Sequence, residues 1–188
     1  MTVNSSSLME QFPVQELLWA NGEDRIIYNR GVSGFTTTDM LHAMEEMVFG
    51  LLPSRIFINI GTNDIGSPDY RLENLEINCR RILEQIRGRL SQTEVFVMAY
   101  YPVNETVIAM GMTPEEAAGQ FVTRNNRNIR LANQMMEQLA GELGCRFIDV
   151  NEGLTDDQGR LRKEFTVEGI HLYPNAYRIV LENLRKYL

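Results

Sequence analysis

Histidine and cysteine are scarce in this chain: 188 residues hold two of each, His42 and His171, Cys79 and Cys145. Neither pair has metal-ligand spacing, which argues against a zinc site. The cysteines fall within expected helices or strands and read as reduced core residues. Positive charge is short as well: 18 Lys and Arg stand against 25 Asp and Glu, a formal net charge of -7. With a pI near 4.9, the chain is a poor match for a nucleic-acid backbone. No apolar run approaches the roughly 20 residues that span a bilayer. Met1-Thr-Val-Asn4 lacks the basic and apolar regions of a signal peptide. A cytoplasmic protein without stable membrane insertion is expected. Repeats, linkers and low-complexity tracts are lacking too, so residues 1–188 read as one domain.

What is present is an alternation of apolar runs and amphipathic stretches. Arg25 to Tyr28 reads as a short strand leaving through Asn29-Arg-Gly31, and Thr38 to Phe49 as a helix capped by Thr38. Arg55 to Ile60 is strand-like and apolar throughout, as a sheet covered on both faces requires. Tyr70 to Leu90 carries Leu72, Leu75, Cys79, Ile82, Leu83, Ile86 and Leu90 at helical spacing. Glu94 to Tyr100 is a second apolar strand. Pro114 to Leu143 holds one long helix or two, Arg146 to Val150 is the last strand, and Pro174 opens a closing helix. This order predicts a three-layer α/β/α sandwich around a mostly parallel, roughly five-stranded, flavodoxin-like sheet. Its first strand would have only Met1 to Asn4 to form it, short against the usual five or six residues.

Several residues are placed to carry chemistry. His171 follows the last strand, and Glu168 can fold back around Gly169 to accept from its Nδ1–H, leaving Nε2 as a base. Gly61-Thr-Asn63-Asp64 follows an apolar strand; this is turn chemistry, but it also puts an amide donor at the carboxyl edge of the sheet. Such a donor can stabilise an oxyanion by about 3 kcal/mol. Asn29-Arg-Gly31-Val-Ser-Gly34 is a strand-to-loop hinge whose Gly31 N–H could be a second donor. Ser5-Ser6-Ser7 reads first as a frayed polar terminus or a helix cap, and second as the nucleophile that acyl transfer would need. Asp64 and Asp149 read as carboxylates that order local backbone. The long segment from Val103 to Phe121, with Val107, Met110 and Met112, either walls an acyl pocket or pads a helix junction.

Taken together, these blocks resemble the SGNH hydrolase superfamily, the GDSL-type esterases and lipases, and within it the bacterial branch similar to platelet-activating-factor acetylhydrolase. The resemblance covers essentially the whole chain. With Pro13 and Gln15-Glu-Leu17 as guide, it makes Ser7 the nucleophile, His171 the base and Glu168 its orienter. It also implies an oxyanion hole from the backbone of Ser7 and Gly31 and the Asn63 side chain. Two positions depart from the pattern: Ser5 and Ser6 replace the glycine and aspartate of the first motif, and Glu168 replaces an aspartate. Loss of the glycine should restrict the turn before Ser7.

The resemblance implies a serine esterase that cleaves short acyl esters, O-acetyl or similar, through an acyl-enzyme, with no metal or organic cofactor. The expected partner is a small-molecule acyl ester; the oligomeric state stays open, a homodimer included. The altered first motif motivates a second reading, a weakened relative that binds an acylated sugar or metabolite without efficient turnover.

Overall fold

The computed structural model describes the backbone of residues 1–188 and the side chains of all but Val3, Asn4 and Ser5. Five strands form the sheet: β1 (Thr2–Ser5), β2 (Tyr28–Asn29), β3 (Arg55–Asn59), β4 (Glu94–Met98) and β5 (Arg146–Ile148). Every pairing is parallel, in the order β2-β1-β3-β4-β5. This is the flavodoxin-like order, and it places the topological switch point between β1 and β3. The short first strand does form, over four residues, because β3 supplies a full-length partner along its whole register.

Alternation along the central strands builds two cores. Ile56 and Ile58 of β3 and Val95 and Val97 of β4 face one helical layer. Phe57, Phe96 and Met98 face the other. Phe57 and Phe96 are paired across the strands and stack with centroids 4.8 Å apart; each buried ring contributes about 1.5–3 kcal/mol of transfer energy. The first layer holds α3 (Thr37–His42), α4 (Met44–Met47), α6 (Leu72–Arg89) and α8 (Asn126–Glu142). The second holds α1 (Ser7–Glu10), α2 (Val14–Ala20) and α9 (Pro174–Leu184). Two further helices, α5 (Thr62–Ile65) and α7 (Pro114–Gln120), lie in the connections that follow β3 and β4.

Several boundaries differ from expectation for local reasons. The cap of α3 is Thr36, not Thr38: its side chain accepts from the Asp39 N–H while Asp39 accepts from the Thr36 N–H, a complete capping box. The helix expected to reach Phe49 breaks at Ala43, giving α3, α4 and a 3₁₀ turn over Phe49–Leu51. The Pro114–Leu143 stretch resolves into two helices, because Asn125 caps α8 by accepting from Asn128 N–H. The strand expected at Arg25–Tyr28 shrinks to the two residues of β2, at the sheet edge. Both cysteines are buried and free.

Candidate functional site

Ser7 is the first residue of α1, immediately after β1, so its N–H is one of the helix-start amides without an intrahelical carbonyl. The turn into α1 needs no left-handed residue. Ser6 is extended at φ -77°, ψ -168° and buried, and its carbonyl accepts from Met9 and Glu10 N–H at 3.1 Å each. Ser6 stands at the aspartate position of the family motif; the side chain of Ser5, at the glycine position, lies outside the described residues.

Across the sheet edge, Ser7 Oγ lies 3.0 Å from His171 Nε2. His171 Nδ1 in turn meets Glu168 Oε1, which also accepts from the His171 backbone N–H at 3.0 Å. The turn joining them passes through Gly169 at φ +94°, where a side chain would run into the Asn104 carbonyl. Burial pushes the Glu168 carboxyl up, but the hydrogen bonds from the His171 ring and backbone outweigh it, and the net result lies below the usual glutamate value. An ionised Glu168 can only accept, so the imidazole proton sits on Nδ1 and the Nε2 lone pair faces the Ser7 hydroxyl. Only 14% of the Glu168 side chain is exposed, against 32% for His171, so the orienting carboxylate is shielded while the ring stays open to solvent.

Asn63 lies in α5, just beyond the end of β3. Its Nδ2 donates to the Phe35 carbonyl at 2.9 Å, and its Oδ1 accepts from Arg124 Nη2 at 3.2 Å. Among the described residues the second Nδ2 hydrogen has no protein acceptor. Gly31 is placed differently from expectation. Its N–H donates to Asn29 Oδ1 at 2.9 Å, so it is engaged, and joining an oxyanion would require a shared, three-centre bond. What Gly31 provides in this structure is space, because a Cβ there would overlap the backbone of Glu10 in α1.

Other residues that hold the site were not visible in the sequence. Asn29 Nδ2 donates to the Met9 and Phe12 carbonyls at 2.6 and 3.0 Å, tying α1 to the loop after β2. Glu10 accepts from Ser33 N–H at 3.1 Å and from the Ser33 hydroxyl. The Tyr177 hydroxyl donates to the Leu8 carbonyl while its ring stacks on Phe12, 5.1 Å between centroids, so α9 pins α1. Asp64 orders backbone as expected, accepting from Thr37 N–H at 2.9 Å and from the Thr37 hydroxyl. Asp149 accepts from Asn151 N–H at 2.8 Å in the same role. The segment from Val103 to Phe121 is mixed in its burial. Val103 and Phe121 are buried, Met110 is fully exposed, and Asn104 N–H donates to the Gly169 carbonyl at 2.8 Å beside the His171 turn. Among the described residues, no three His, Cys, Asp or Glu side chains converge as a metal-binding set. No helix among them is long and apolar enough to cross a membrane.

The sequence profile of the GDSL-like lipase/acylhydrolase family matches residues 10–179. The chain belongs to that family. The matched stretch of this GDSL-like chain contains Gly31, Asn63, Glu168 and His171 and begins after Ser7. Among solved structures, one similar protein comes from Streptococcus pneumonia and is provisionally described as a platelet activating factor. It is 29% identical, with TM-score 0.83, and 99% of this chain and 82% of that one align. An acetylxylan esterase from Geobacillus stearothermophilus, solved as a catalytic mutant, shares the GDSL-like fold at 17% identity and TM-score 0.72, with 98% and 92% coverage. A curated relative, an N-acylneuraminate cytidylyltransferase of Escherichia coli, is 23% identical over 185 residues. That match takes in 97% of this chain but 38% of the relative, so the chain spans well under half of that protein.

Proposed function

We propose that this chain hydrolyses small acyl esters through an acyl-enzyme on Ser7. The observation that carries the reading is the continuous hydrogen-bonded line from Ser7 Oγ through the His171 ring to Glu168. A serine hydroxyl is a weak nucleophile unless a positioned base takes its proton, and a carboxylate behind the imidazole fixes the tautomer and stabilises the imidazolium that forms.

In this mechanism His171 Nε2 accepts the Ser7 proton as Oγ attacks the ester carbonyl. The oxyanion is held by the Ser7 N–H and the open Asn63 Nδ2–H, with Gly31 N–H joining only by sharing with Asn29. His171 then protonates the departing alcohol. Water, deprotonated by the same ring, attacks the acyl-Ser7 ester and restores the hydroxyl. Each proton moves through one nitrogen, so the cycle balances with an alcohol and an acid as products.

Membership of the acylhydrolase family supports ester hydrolysis in general. One structural neighbour is an acetylxylan esterase, which supports reading the substrate as a short acyl group, acetyl or similar, on a sugar-sized alcohol. Purified protein is expected to hydrolyse p-nitrophenyl acetate faster than long-chain esters and to release acetate from O-acetylated sugars. Ser7→Ala and His171→Ala should each lose turnover while keeping their thermal melts. Retained turnover in folded Ser7→Ala would refute the assignment. Tight binding of an acetylated sugar without turnover by the wild type would favour the binding-only reading that the altered first motif raises.

A further inference from the structure

The amide of Asn63 can act as an oxyanion donor only if its nitrogen, not its oxygen, faces the reacting carbon, and an asparagine side chain is nearly symmetric in shape. Its orientation is therefore set by what it touches. On one side is the Phe35 carbonyl, which can only accept. On the other is Arg124, which can only donate and reaches Asn63 Oδ1 with Nη2. Arg124 itself is fixed: its Nε donates to the Thr62 carbonyl at 3.2 Å, and its guanidinium lies where a Cβ on Gly66 would be. The group is partly buried, which disfavours its charge, and Glu168 is the charged group that opposes this. Among the described residues no carboxylate lies within ion-pair distance of it. Partly burying a cation whose acceptors are one backbone carbonyl and one amide oxygen carries a cost, so its placement here calls for a role.

We infer that Arg124 is a positioning residue for the oxyanion site: it locks the Asn63 amide with Nδ2 toward the reacting centre and polarises it. A cation hydrogen-bonded to Oδ1 draws electron density from the amide, and its N–H groups become stronger donors. The inference rests on the esterase reading above. It is distinct from the roles of Ser7 and His171, because Arg124 acts through Asn63 and hydrogen-bonds to neither the nucleophile nor the base.

The test is a double-mutant cycle on short-ester hydrolysis with Arg124→Met, Arg124→Lys, Asn63→Ala and the pair Arg124→Met/Asn63→Ala. Methionine fills the arginine's space without its donors. Arg124→Met should lower kcat about 10-fold with KM within about twofold, since misorienting a donor costs less than the 10²–10³-fold of deleting one. Arg124→Lys should recover part of that loss, and Arg124→Met should have no further effect in the Asn63→Ala background. An undiminished kcat in Arg124→Met would overturn the inference. So would an equal loss in the Asn63→Ala background, or an effect confined to the KM of anionic substrates, which would make Arg124 a substrate contact. A wild type that hydrolyses no ester would defeat the proposed function instead. The side-chain amide NMR resonances of Asn63 then decide separately: Arg124→Met should move them, and unmoved resonances would overturn the role of Arg124.

Discussion

Substituting Gly31 by alanine tests whether the site depends on how closely α1 approaches the loop after β2. A Cβ at Gly31 would sit 2.7 Å from Glu10 Cα and 2.8 Å from the Met9 carbonyl carbon. Non-bonded carbons rest about 3.5–4.0 Å apart, so α1 and the loop must separate by roughly 1 Å. Arg30 Nη2 holds the loop to the Glu46 carbonyl at 2.9 Å, and the bonds of Asn29 to Met9 and Phe12 and of Ser33 to Glu10 resist the separation itself. Whatever part of the shift α1 takes is carried to Ser7, its first residue. Adding about 1 Å to the 3.0 Å between Ser7 Oγ and His171 Nε2 takes the pair beyond hydrogen-bond range. Misplacement on that scale costs on the order of 10²-fold in rate, and the overpacking costs about 1–3 kcal/mol of stability. Alanine keeps the backbone N–H, so the loss would be steric and not that of an oxyanion donor. The assays are kcat/KM on a short acyl ester and a thermal melt of the same preparation. A Gly31→Ala protein within about threefold of wild-type kcat/KM, with an unchanged Tm, would refute the reasoning.

Glu168→Gln keeps the size of the orienter but not its charge, and should lower kcat by about 10²–10⁴-fold; a change below threefold would show that the carboxylate is not needed. The lowered Glu168 value also carries a pH signature: its stabilisation is complete above the usual glutamate value and is lost as pH falls through the lowered one. Urea melts of wild type should weaken over that window more than those of Glu168→Gln. Tyr177→Phe keeps the stack on Phe12 but leaves the buried Leu8 carbonyl unpaired, at a cost of about 1–2 kcal/mol. At about 2–4 °C per kcal/mol for a chain of this size, the Tm should fall measurably, and an unchanged melt would contradict the role of α9 as the clamp on α1. Burial holds Asp64 above the usual aspartate value despite its bonds from Thr37. The folded state therefore retains that proton longer than the unfolded chain, and stability falls as pH rises from the usual value through the raised one. Asp64→Asn should remove that slope in urea titrations, and an identical slope would be evidence against it.

The parts of this fold that were legible are those written in strictly local pattern. β3 is apolar and buried from Ile56 to Ile58 and β4 from Val95 to Met98, so composition alone marks them as central strands. α6 buries Leu75, Cys79, Ile82, Leu83 and Ile86 on one stripe, which is the helical period itself. The cap of α3 was misplaced because three consecutive threonines offer the same hydroxyl, and only the spacing to Asp39 selects Thr36. The edge strand β2 was overestimated because Ile26 and Tyr28 look like strand residues yet are exposed, paired on one side only.

In the site, Glu168 and His171 were readable because both partners lie in one four-residue turn. Ser7 needed the family pattern, since nothing local distinguishes it from Ser5 and Ser6. The bond from Gly31 N–H to Asn29 was not legible because a glycine at a sheet edge looks open, and the neighbouring Asn29 side chain gives no periodic signal. Arg124 was invisible for a related reason: its partners, Thr62 and Asn63, are some sixty positions away in sequence. Only the sheet brings them together.

The most direct measurement is to treat the purified protein with a fluorophosphonate and map the adduct by intact mass and peptide sequencing. A single adduct on Ser7, lost in His171→Ala and slowed in Glu168→Gln, is the predicted result. An adduct on another residue, or none on the folded wild-type protein, would contradict an activated Ser7.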